Sequence, residues 1–146
     1  MLVHTIHSFQ VGRSILHAPL CLSNVSAGFP SPAENHIDKP LDLNELLIDH
    51  PEATFFVRVS GDSMINVGIC HNDILVVDRA KKVKNNDIVV AILFGDFTVK
   101  RWCLHQKKAL LIAENPQYPP IEITEDSDFE IWGVVTYAIH SLQDIR

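Results

Sequence analysis

Short apolar runs separated by turn-forming residues fill the sequence from Thr54 to Tyr137. This pattern restricts the possible fold more than any other feature of the sequence. The runs are rich in Val, Ile, Phe and Trp, which favour β-strands, and Asn and Pro residues punctuate the later gaps. Strands that recur every roughly 8–12 residues are typical of antiparallel sandwiches and barrels. The sequence therefore predicts a mainly β fold with a curved antiparallel or barrel-like sheet.

The individual elements can be predicted from the same pattern. The predicted strands are Thr54–Ser60, Ile74–Asp78, Asp87–Phe94, Phe97–Leu104, Ala109–Ala113, Ile121–Ile123 and Phe129–Tyr137. Gly95-Asp96 predicts a two-residue type II′ hairpin between two of them. Leu41–His50 predicts one short helix, because Asp42 suits the N-cap, Glu45 follows three residues later and Pro51 ends the pattern.

The first 26 residues show neither helical nor strand periodicity, so we expect an extended N-terminal arm that packs weakly. The whole chain has 146 residues and is 47% hydrophobic, which suits one domain with a sizeable core plus this arm. The arm is too short for a three-helix DNA-binding domain. No run approaches 18 apolar residues, and the start lacks the order of a signal peptide, so we expect no membrane association.

Charge and cysteine usage narrow the function classes further. A net charge of −6 is poor for binding a phosphate backbone directly. Cys21, Cys70 and Cys103 are an odd, widely spaced set without the pairing of a disulfide framework or a zinc site. Cys70 precedes His71, and Cys103 lies two residues before His105, but a pair is not four ligands. We predict reduced cysteines in a cytosolic protein, without a metal or other cofactor.

The stretch from Val57 to Met64 offers a candidate nucleophile. A strand-like run ends in Ser60-Gly61-Asp62-Ser63, so Ser63 follows a bend that glycine permits. A hydroxyl in such a place is exposed to reaction, and nearby backbone N–H groups can point at a developing oxyanion. Taken alone, the same residues are equally ordinary turn chemistry.

Lys100 is the candidate base for this serine. A lysine amine can activate a serine hydroxyl when it is neutral, and burial lowers the lysine pKa. Lys100 lies in the apolar run Phe97–Trp102, and alternation places it on the same face as Thr98 and Trp102, which we expect to point inward. The alternative is a strand lysine whose ammonium group reaches water.

Other arrangements remain open at this point. Asp62 or Asp78 could serve as the acid of a Ser-His-Asp triad, with one of the eight histidines as the base. Ser60 competes with Ser63 as the nucleophile, although we interpret it as a turn residue. The Ser/Lys pair gives a simpler account than a triad does.

Several separated motifs together resemble the LexA/UmuD family of self-cleaving serine peptidases. Gly61-Asp62-Ser63-Met64 and Phe97-Thr98-Val99-Lys100-Arg101 resemble its Ser/Lys pair, and Ala27-Gly28 followed by Phe-Pro-Ser-Pro resembles its cleavage site. Leu41–Leu47 and Trp132-Gly133-Val134-Val135 are closer to the UmuD branch than to the LexA branch. The likeness extends from about Val25 to Ile139, and the motifs occur in the same order as in the family.

The resemblance implies roles for particular residues. Ser63 would be the nucleophile and Lys100 the general base, and the backbone N–H groups of Asp62 and Ser63 would hold the oxyanion. Cleavage between Ala27 and Gly28 would remove the arm, residues 1–27, from a peptidase-like β domain, residues 28–146. Small residues at the bond suit a confined site, and the prolines that follow keep the chain out of a helix.

The resemblance also implies partners that composition cannot reveal. UmuD-like proteins are bacterial, cytoplasmic homodimers that are cleaved on meeting the RecA–single-stranded DNA filament in the SOS response. The shortened dimer then serves an error-prone Y-family, UmuC-like translesion polymerase. The acidic charge agrees with action through proteins, without sequence-specific DNA binding. Two alternatives are a non-enzymatic β-domain interaction module and a LexA-type repressor fragment that lacks its DNA-binding domain.

Overall fold

The computed structural model describes residues 1–9, 17–21 and 37–143, and for 17–21 and 37–39 it describes the backbone alone. The chain divides into two compact units. One comprises Met1–Val11 with His50–Arg146, and the other Gly12–Asp49. The first carries both residues of the predicted Ser/Lys pair, so the site belongs to that unit alone.

The described elements are ten strands and one α-helix, with single 3-10 turns at Pro51–Ala53 and Ile65–Val67. The strands and helix are β1 (Leu2–Ser8), β2 (His17–Cys21), β3 (Ile37–Asp42), α1 (Leu43–Leu47), β4 (Thr54–Ser60), β5 (Ile74–Asp78), β6 (Ile88–Leu93), β7 (Asp96–His105), β8 (Lys108–Ile112), β9 (Ile121–Ile123) and β10 (Phe129–Ile139).

Eight strands form one antiparallel sheet in the order β1-β4-β5-β10-β6-β7-β8-β9. An additional pairing joins β1 to β7 through Leu2 and Thr98, and this closes the first six strands into a barrel. Strands β8 and β9 extend the sheet beyond β7. The predicted mainly β, barrel-like fold with one short helix is therefore confirmed.

Two apolar clusters lie against this sheet. The first gathers Val57, Val59, Leu75, Val90 and Val99, all fully buried, together with other residues of the barrel strands. The second is built from Val89, Ala91 and Leu111, with aromatic neighbours at its margin. Successive residues of a strand point to opposite faces. Strands β6 and β7 therefore contribute Val90 and Val99 to the first cluster, and their opposite face packs against the second cluster.

Strand β10 requires glycine at one position. A Cβ atom at Gly133 would lie 2.6 Å from Cγ1 of Val77, which is closer than packed atoms tolerate. The register with β6 also shifts between Ile131 and Gly133. This glycine therefore lets β10 bend closely over β5 in the middle of the barrel.

The second unit is small. Strand β2 pairs antiparallel with β3, and α1 follows β3 directly. The Asp42 carboxylate accepts a hydrogen bond from Asn44 N at 2.9 Å, so the predicted N-cap is correct. The helix itself spans only Leu43–Leu47, because the backbone turns extended at Ile48 well before Pro51.

Most predicted strands coincide with observed ones within one or two residues, and three match at both ends: Thr54–Ser60, Ile74–Asp78 and Ile121–Ile123. The predicted hairpin between β6 and β7 was misplaced by one residue. Leu93 pairs with Asp96, so the turn is formed by Phe94 and Gly95, both with positive φ, as in a type I′ turn.

The first residues are extended, as expected, but they are held in the barrel by strand pairing, which the expectation of weak packing missed. Leu2–Ser8 pairs along β4 as strand β1 of the barrel, and His17–Cys21 is strand β2. Polar residues interrupt β1, since most of its side chains are exposed, and this removed the periodicity from the sequence. Within the described ranges, no helix has the length and apolar character needed to cross a membrane.

Candidate active site

Ser63 lies just beyond the end of β4, in the serine loop (residues 61–68). Gly61 has φ +93°, a conformation that favours glycine, so the chain bends as the sequence predicted. Ser63 follows the bend and is only 1% exposed, and Met64 beside it is fully buried in the first cluster. The Val57–Met64 stretch therefore delivers a serine hydroxyl into the protein interior.

Lys100 lies in the middle of β7, opposite Val89 of β6. The alternation places it on the face of the second cluster, where Val89 and Trp102 also lie, while Val99 points to the first. Lys100 is 7% exposed, so the water-exposed alternative does not describe this lysine. Its shared face with Thr98 and Trp102 agrees with the sequence prediction.

The two side chains meet. Lys100 Nζ lies 3.3 Å from Ser63 Oγ, 3.2 Å from Thr98 Oγ1 and 3.2 Å from the carbonyl oxygen of Val99. A neutral amine has two N–H donors and one lone pair. The donors suit Thr98 and Val99, which leaves the lone pair for the proton of Ser63.

Burial lowers the pKa of the Lys100 ammonium below that of a water-exposed lysine, because desolvation disfavours the charged form. A hydrogen bond with the amino group of Met1 opposes this shift in part. The lowered pKa increases the neutral fraction of the amine, which is the form able to take a proton from serine.

Met1 covers this pair. Its amino group lies 2.6 Å from Ser63 Oγ, and burial together with Lys100 lowers the pKa of that amino group to about 5. Its carbonyl oxygen accepts hydrogen bonds from Val99 N and Thr98 Oγ1, both at 3.1 Å. No sequence pattern predicts this contact, because nothing local links residue 1 to residues 63 and 98.

Residues 114–118, named here the bracing segment, hold the serine loop from outside. Asn115 Nδ2 donates to the backbone oxygen of Asp62 at 3.0 Å, and Tyr118 OH donates to Asp62 Oδ1 at 2.6 Å. The carbonyl oxygen of Glu114 accepts from Asn66 N at 2.9 Å. From the sequence, Asn115 is predicted only to interrupt the strands, so this contact of the segment was not predicted.

The Asp62–Ser63 peptide is oriented by the hydrogen bond from Asn115 together with a hydrogen bond from Ile65 N to the same Asp62 oxygen at 3.2 Å. A trans peptide is planar, with its C=O and N–H on opposite sides, so fixing the Asp62 oxygen also fixes the direction of Ser63 N–H. The Asn115 amide is itself oriented, since its Oδ1 accepts from Gln117 N at 3.0 Å. The hydrogen bond to Asp62 raises the pKa of the Tyr118 phenol, so Tyr118 retains its proton.

The two carboxylates weighed as triad acids have other partners. Asp78 Oδ2 lies 2.6 Å from His50 Nδ1, and Asp62 accepts from Tyr118. In the part of the chain that the structure describes, Ser63 Oγ is hydrogen-bonded to Met1 and Lys100 and to no histidine. Ser60 is the last residue of β4 and pairs with Leu2.

One group of possible metal ligands occurs among the described residues. Donor atoms of Cys70, Asp73 and His140 lie within 4.8 Å of one another. Asp73 already accepts from His140 Nδ1 at 2.6 Å and from Cys70 N at 2.8 Å, so hydrogen bonds account for the grouping. Of the two sequence pairs, Cys70 joins this group without His71, whose Nδ1 accepts from Gly61 N.

Two predictions have no counterpart among these contacts. The segment around Ala27 and Gly28 lies outside the described residues. The amides of Asp62 and Ser63 stand at the serine loop, and within the described ranges neither donates to a protein acceptor. The cleavage site and the oxyanion role therefore remain predictions.

Comparison with known proteins shows the family of the chain. Residues 19–136 match the family described as Peptidase S24-like. Protein ImpA of Salmonella typhimurium is 43% identical over 129 residues, 88% of this chain and 87% of the relative. Protein MucA of Escherichia coli is 43% identical over 88% of each chain. Protein SamA of Salmonella typhimurium is 48% identical over 84% of this chain and 85% of the relative. Both the matched span and these identities are extensive, and the chain belongs to the Peptidase S24-like family of serine peptidases.

Proposed function

We propose that the protein is a self-cleaving serine peptidase that uses Ser63 and Lys100 to cut its own chain between Ala27 and Gly28. The observation that carries this proposal is the 3.3 Å approach of Lys100 Nζ to Ser63 Oγ, with both groups buried. Burial supplies the neutral amine that a Ser/Lys pair requires, and family membership makes peptidase chemistry the expected use of the pair.

The proposed reaction has two stages. In the first, neutral Lys100 takes the hydroxyl proton as Ser63 attacks the Ala27 carbonyl carbon. The peptide N–H groups of Asp62 and Ser63 stabilise the negative oxygen of the tetrahedral intermediate. The Lys100 ammonium then returns the proton to the Gly28 nitrogen as the C–N bond breaks, leaving an ester between Ser63 and Ala27.

The second stage releases the arm. Neutral Lys100 takes a proton from water, which attacks the ester carbonyl, and the Ser63 oxygen leaves and recovers a proton from Lys100. Residues 1–27 depart with a new carboxylate at Ala27, and residues 28–146 begin at Gly28. Each molecule cleaves one peptide bond, either in its own chain or in a partner's. The reaction therefore acts as a switch, with little turnover.

The cellular role proposed here follows the LexA/UmuD resemblance. Contact with a RecA–single-stranded DNA filament would trigger cleavage in the bacterial cytoplasm, and the cleaved homodimer would assist a Y-family, UmuC-like polymerase in translesion synthesis. The net charge of −6 supports action through protein partners over direct DNA binding. A tethered cleavage segment supports the mechanism, since it needs only to dock.

An intact-mass time course of the purified protein tests the chemistry. We expect fragments 1–27 and 28–146, formed faster as the pH rises from neutral to alkaline. Deprotonation of Lys100 activates the pair, and burial lowers its pKa, so the rate should rise below the pH range of an ordinary lysine. Ser63→Ala and Lys100→Ala are the matched inactive controls.

Partner dependence is tested in the same assay by adding an activated recombinase filament, which should accelerate cleavage near neutral pH. Equal cleavage of the wild type and both variants would contradict the Ser/Lys assignment. A wild-type chain that stays intact at alkaline pH and with the filament would favour the non-enzymatic interaction module instead. Cleavage at another bond would refute Ala27-Gly28 while leaving the catalytic pair.

A further inference from the structure

The beginning of strand β1 lies directly against Ser63. The Ser63 residue is 1% exposed, and its Oγ lies 2.6 Å from the Met1 amino group and 3.3 Å from Lys100 Nζ. A reacting carbonyl carbon has to come within roughly 3–3.5 Å of the attacking oxygen. In the closed barrel the pair therefore cannot accept a substrate until Met1 moves.

The contacts that hold Met1 are those of a paired peptide strand. Its carbonyl oxygen accepts from Val99 N and from Thr98 Oγ1, and the next residue, Leu2, pairs with Ser60 of β4 and with Thr98 of β7. Backbone hydrogen bonds of this kind do not depend on side-chain identity. The slot between the end of β4 and the middle of β7 can therefore bind an extended peptide of another sequence.

Strand β1 is suited to leave this slot. Along Leu2–Ser8 only Val3 is partly buried, and the pairing with β7 consists of the single pair Leu2–Thr98. The side chain of Met1, 7% exposed in the first apolar cluster, is the main apolar anchor at the active-site end. Pairing with β4 runs from Leu2 to Ser8, so β1 is held mainly along that one edge. A strand with few buried side chains and a single pair on its other edge opens locally at a lower free-energy cost than a core strand does.

We propose that this slot is a binding site for an extended peptide strand, and that Met1 and Leu2 occupy it as a built-in inhibitor. The scissile segment takes the slot only after the start of β1 has left, so strand exchange limits cleavage. The proposal rests on the proposed function for the identity of the incoming strand. The occlusion of Ser63 by β1 stands on the geometry alone.

A reversible lock on β1 tests the exchange. Thr5 of β1 lies opposite Arg58 of β4, and both side chains are exposed. Residues opposite each other in antiparallel strands have Cβ atoms close to the spacing that a disulfide requires. The variant carries Thr5→Cys and Arg58→Cys, with Cys21, Cys70 and Cys103 replaced by Ser so that only the new pair can oxidise.

Oxidation should slow alkaline self-cleavage by at least roughly tenfold, the scale on which one disulfide opposes opening, and a reductant should restore the rate. The reduced form of the same protein is the matched control. A chain with Thr5→Cys but native Arg58 shows whether the oxidant itself has an effect. Equal cleavage rates in the oxidised and reduced lock would overturn strand exchange while leaving the Ser63–Lys100 chemistry standing.

A second measurement does not require cleavage. Adding Ser63→Cys to the lock replaces the nucleophile with a thiol, whose alkylation by iodoacetamide reports access to the slot and is read by peptide mass mapping. Oxidation of the lock should slow alkylation at position 63 by a similar factor. If oxidation slows this alkylation while the lock with native Ser63 never cleaves, the occlusion is retained and the peptidase function is rejected. Unchanged alkylation would refute the occlusion.

Discussion

The two residues of the proposed catalytic pair are held by different kinds of structure. Lys100 stands within β7, which pairs with β6 from Asp96 to Arg101 and continues into β8. Ser63 stands in a loop, and contacts from the bracing segment fix that loop, with the Asn115–Asp62 bond joining residues 53 apart in sequence. The base is thus positioned by a backbone ladder, and the nucleophile by side chains.

Because of this difference, substitutions near Lys100 and substitutions near Ser63 should have different effects. A ladder distributes its free energy over many backbone bonds, so exposed substitutions beside Lys100 should change stability without moving the amine. A loop held by two or three side-chain bonds depends on each of them, so single substitutions there should change the reaction rate with little effect on folding. The predictions below test this contrast, from the largest effect to the smallest.

Lys100→Arg should abolish measurable self-cleavage, a loss of roughly a thousandfold, since general-base catalysis contributes on that scale. Arginine keeps the positive charge and much of the length of lysine but is never neutral in proteins. The measurement is intact mass at alkaline pH, with circular dichroism to confirm the fold. Appreciable cleavage by this variant would remove the lysine from the role of base.

Asn115→Ala should slow cleavage by about tenfold, the scale of one hydrogen bond in the reaction. The substitution leaves the backbone oxygen of Asp62 with its hydrogen bond from Ile65 N alone, which loosens the direction of Ser63 N–H. The pH profile should keep its midpoint, because Lys100 is untouched, and only the maximal rate should fall. Gln117→Ala on the same segment is the matched control; a shifted midpoint would show that Asn115 acts through the base instead.

Tyr118→Phe should slow cleavage by about threefold, less than Asn115→Ala, because its bond to Asp62 is exposed to water. The raised pKa of the phenol keeps the donor protonated at alkaline pH, so the bond operates throughout the assay range. Single-turnover rates should resolve the difference. A variant slower than Asn115→Ala would mean that the Asp62 side chain matters more than the peptide it belongs to.

Phe94→Asn should raise stability by about 0.5–1 kcal/mol and leave the cleavage rate unchanged. Phe94 is 65% exposed with φ +48°, and Asn-Gly suits a type I′ turn far better than Phe-Gly does. This hairpin joins β6 to the strand that carries Lys100. Thermal unfolding measures the gain in stability. A changed cleavage rate at constant pH would show that substitutions in the hairpin do alter the position of the Lys100 amine.

The contrast also explains how much of the molecule could be predicted from its sequence. The strands Thr54–Ser60 and Ile74–Asp78 were predicted at both ends because alternation and composition are local properties. Ser63 and Lys100 were identified from separate motifs, and the structure brings them together. The bracing by Asn115 and Tyr118 and the cover by Met1 were not predicted, because these contacts join distant residues without a periodic pattern.

The position of β10 in the sheet has a consequence for the timing of synthesis. This strand, Phe129–Ile139, lies between β5 and β6, and so joins the sheet that leads to Ser63 with the sheet that carries Lys100. A ribosome delivers β10 after every other strand described, and domains fold as their parts emerge. In a nascent chain that still lacks β10, the short β1–β7 pairing alone links the two pieces that carry Ser63 and Lys100. We therefore expect the proposed cleavage to begin only after translation of the barrel is finished.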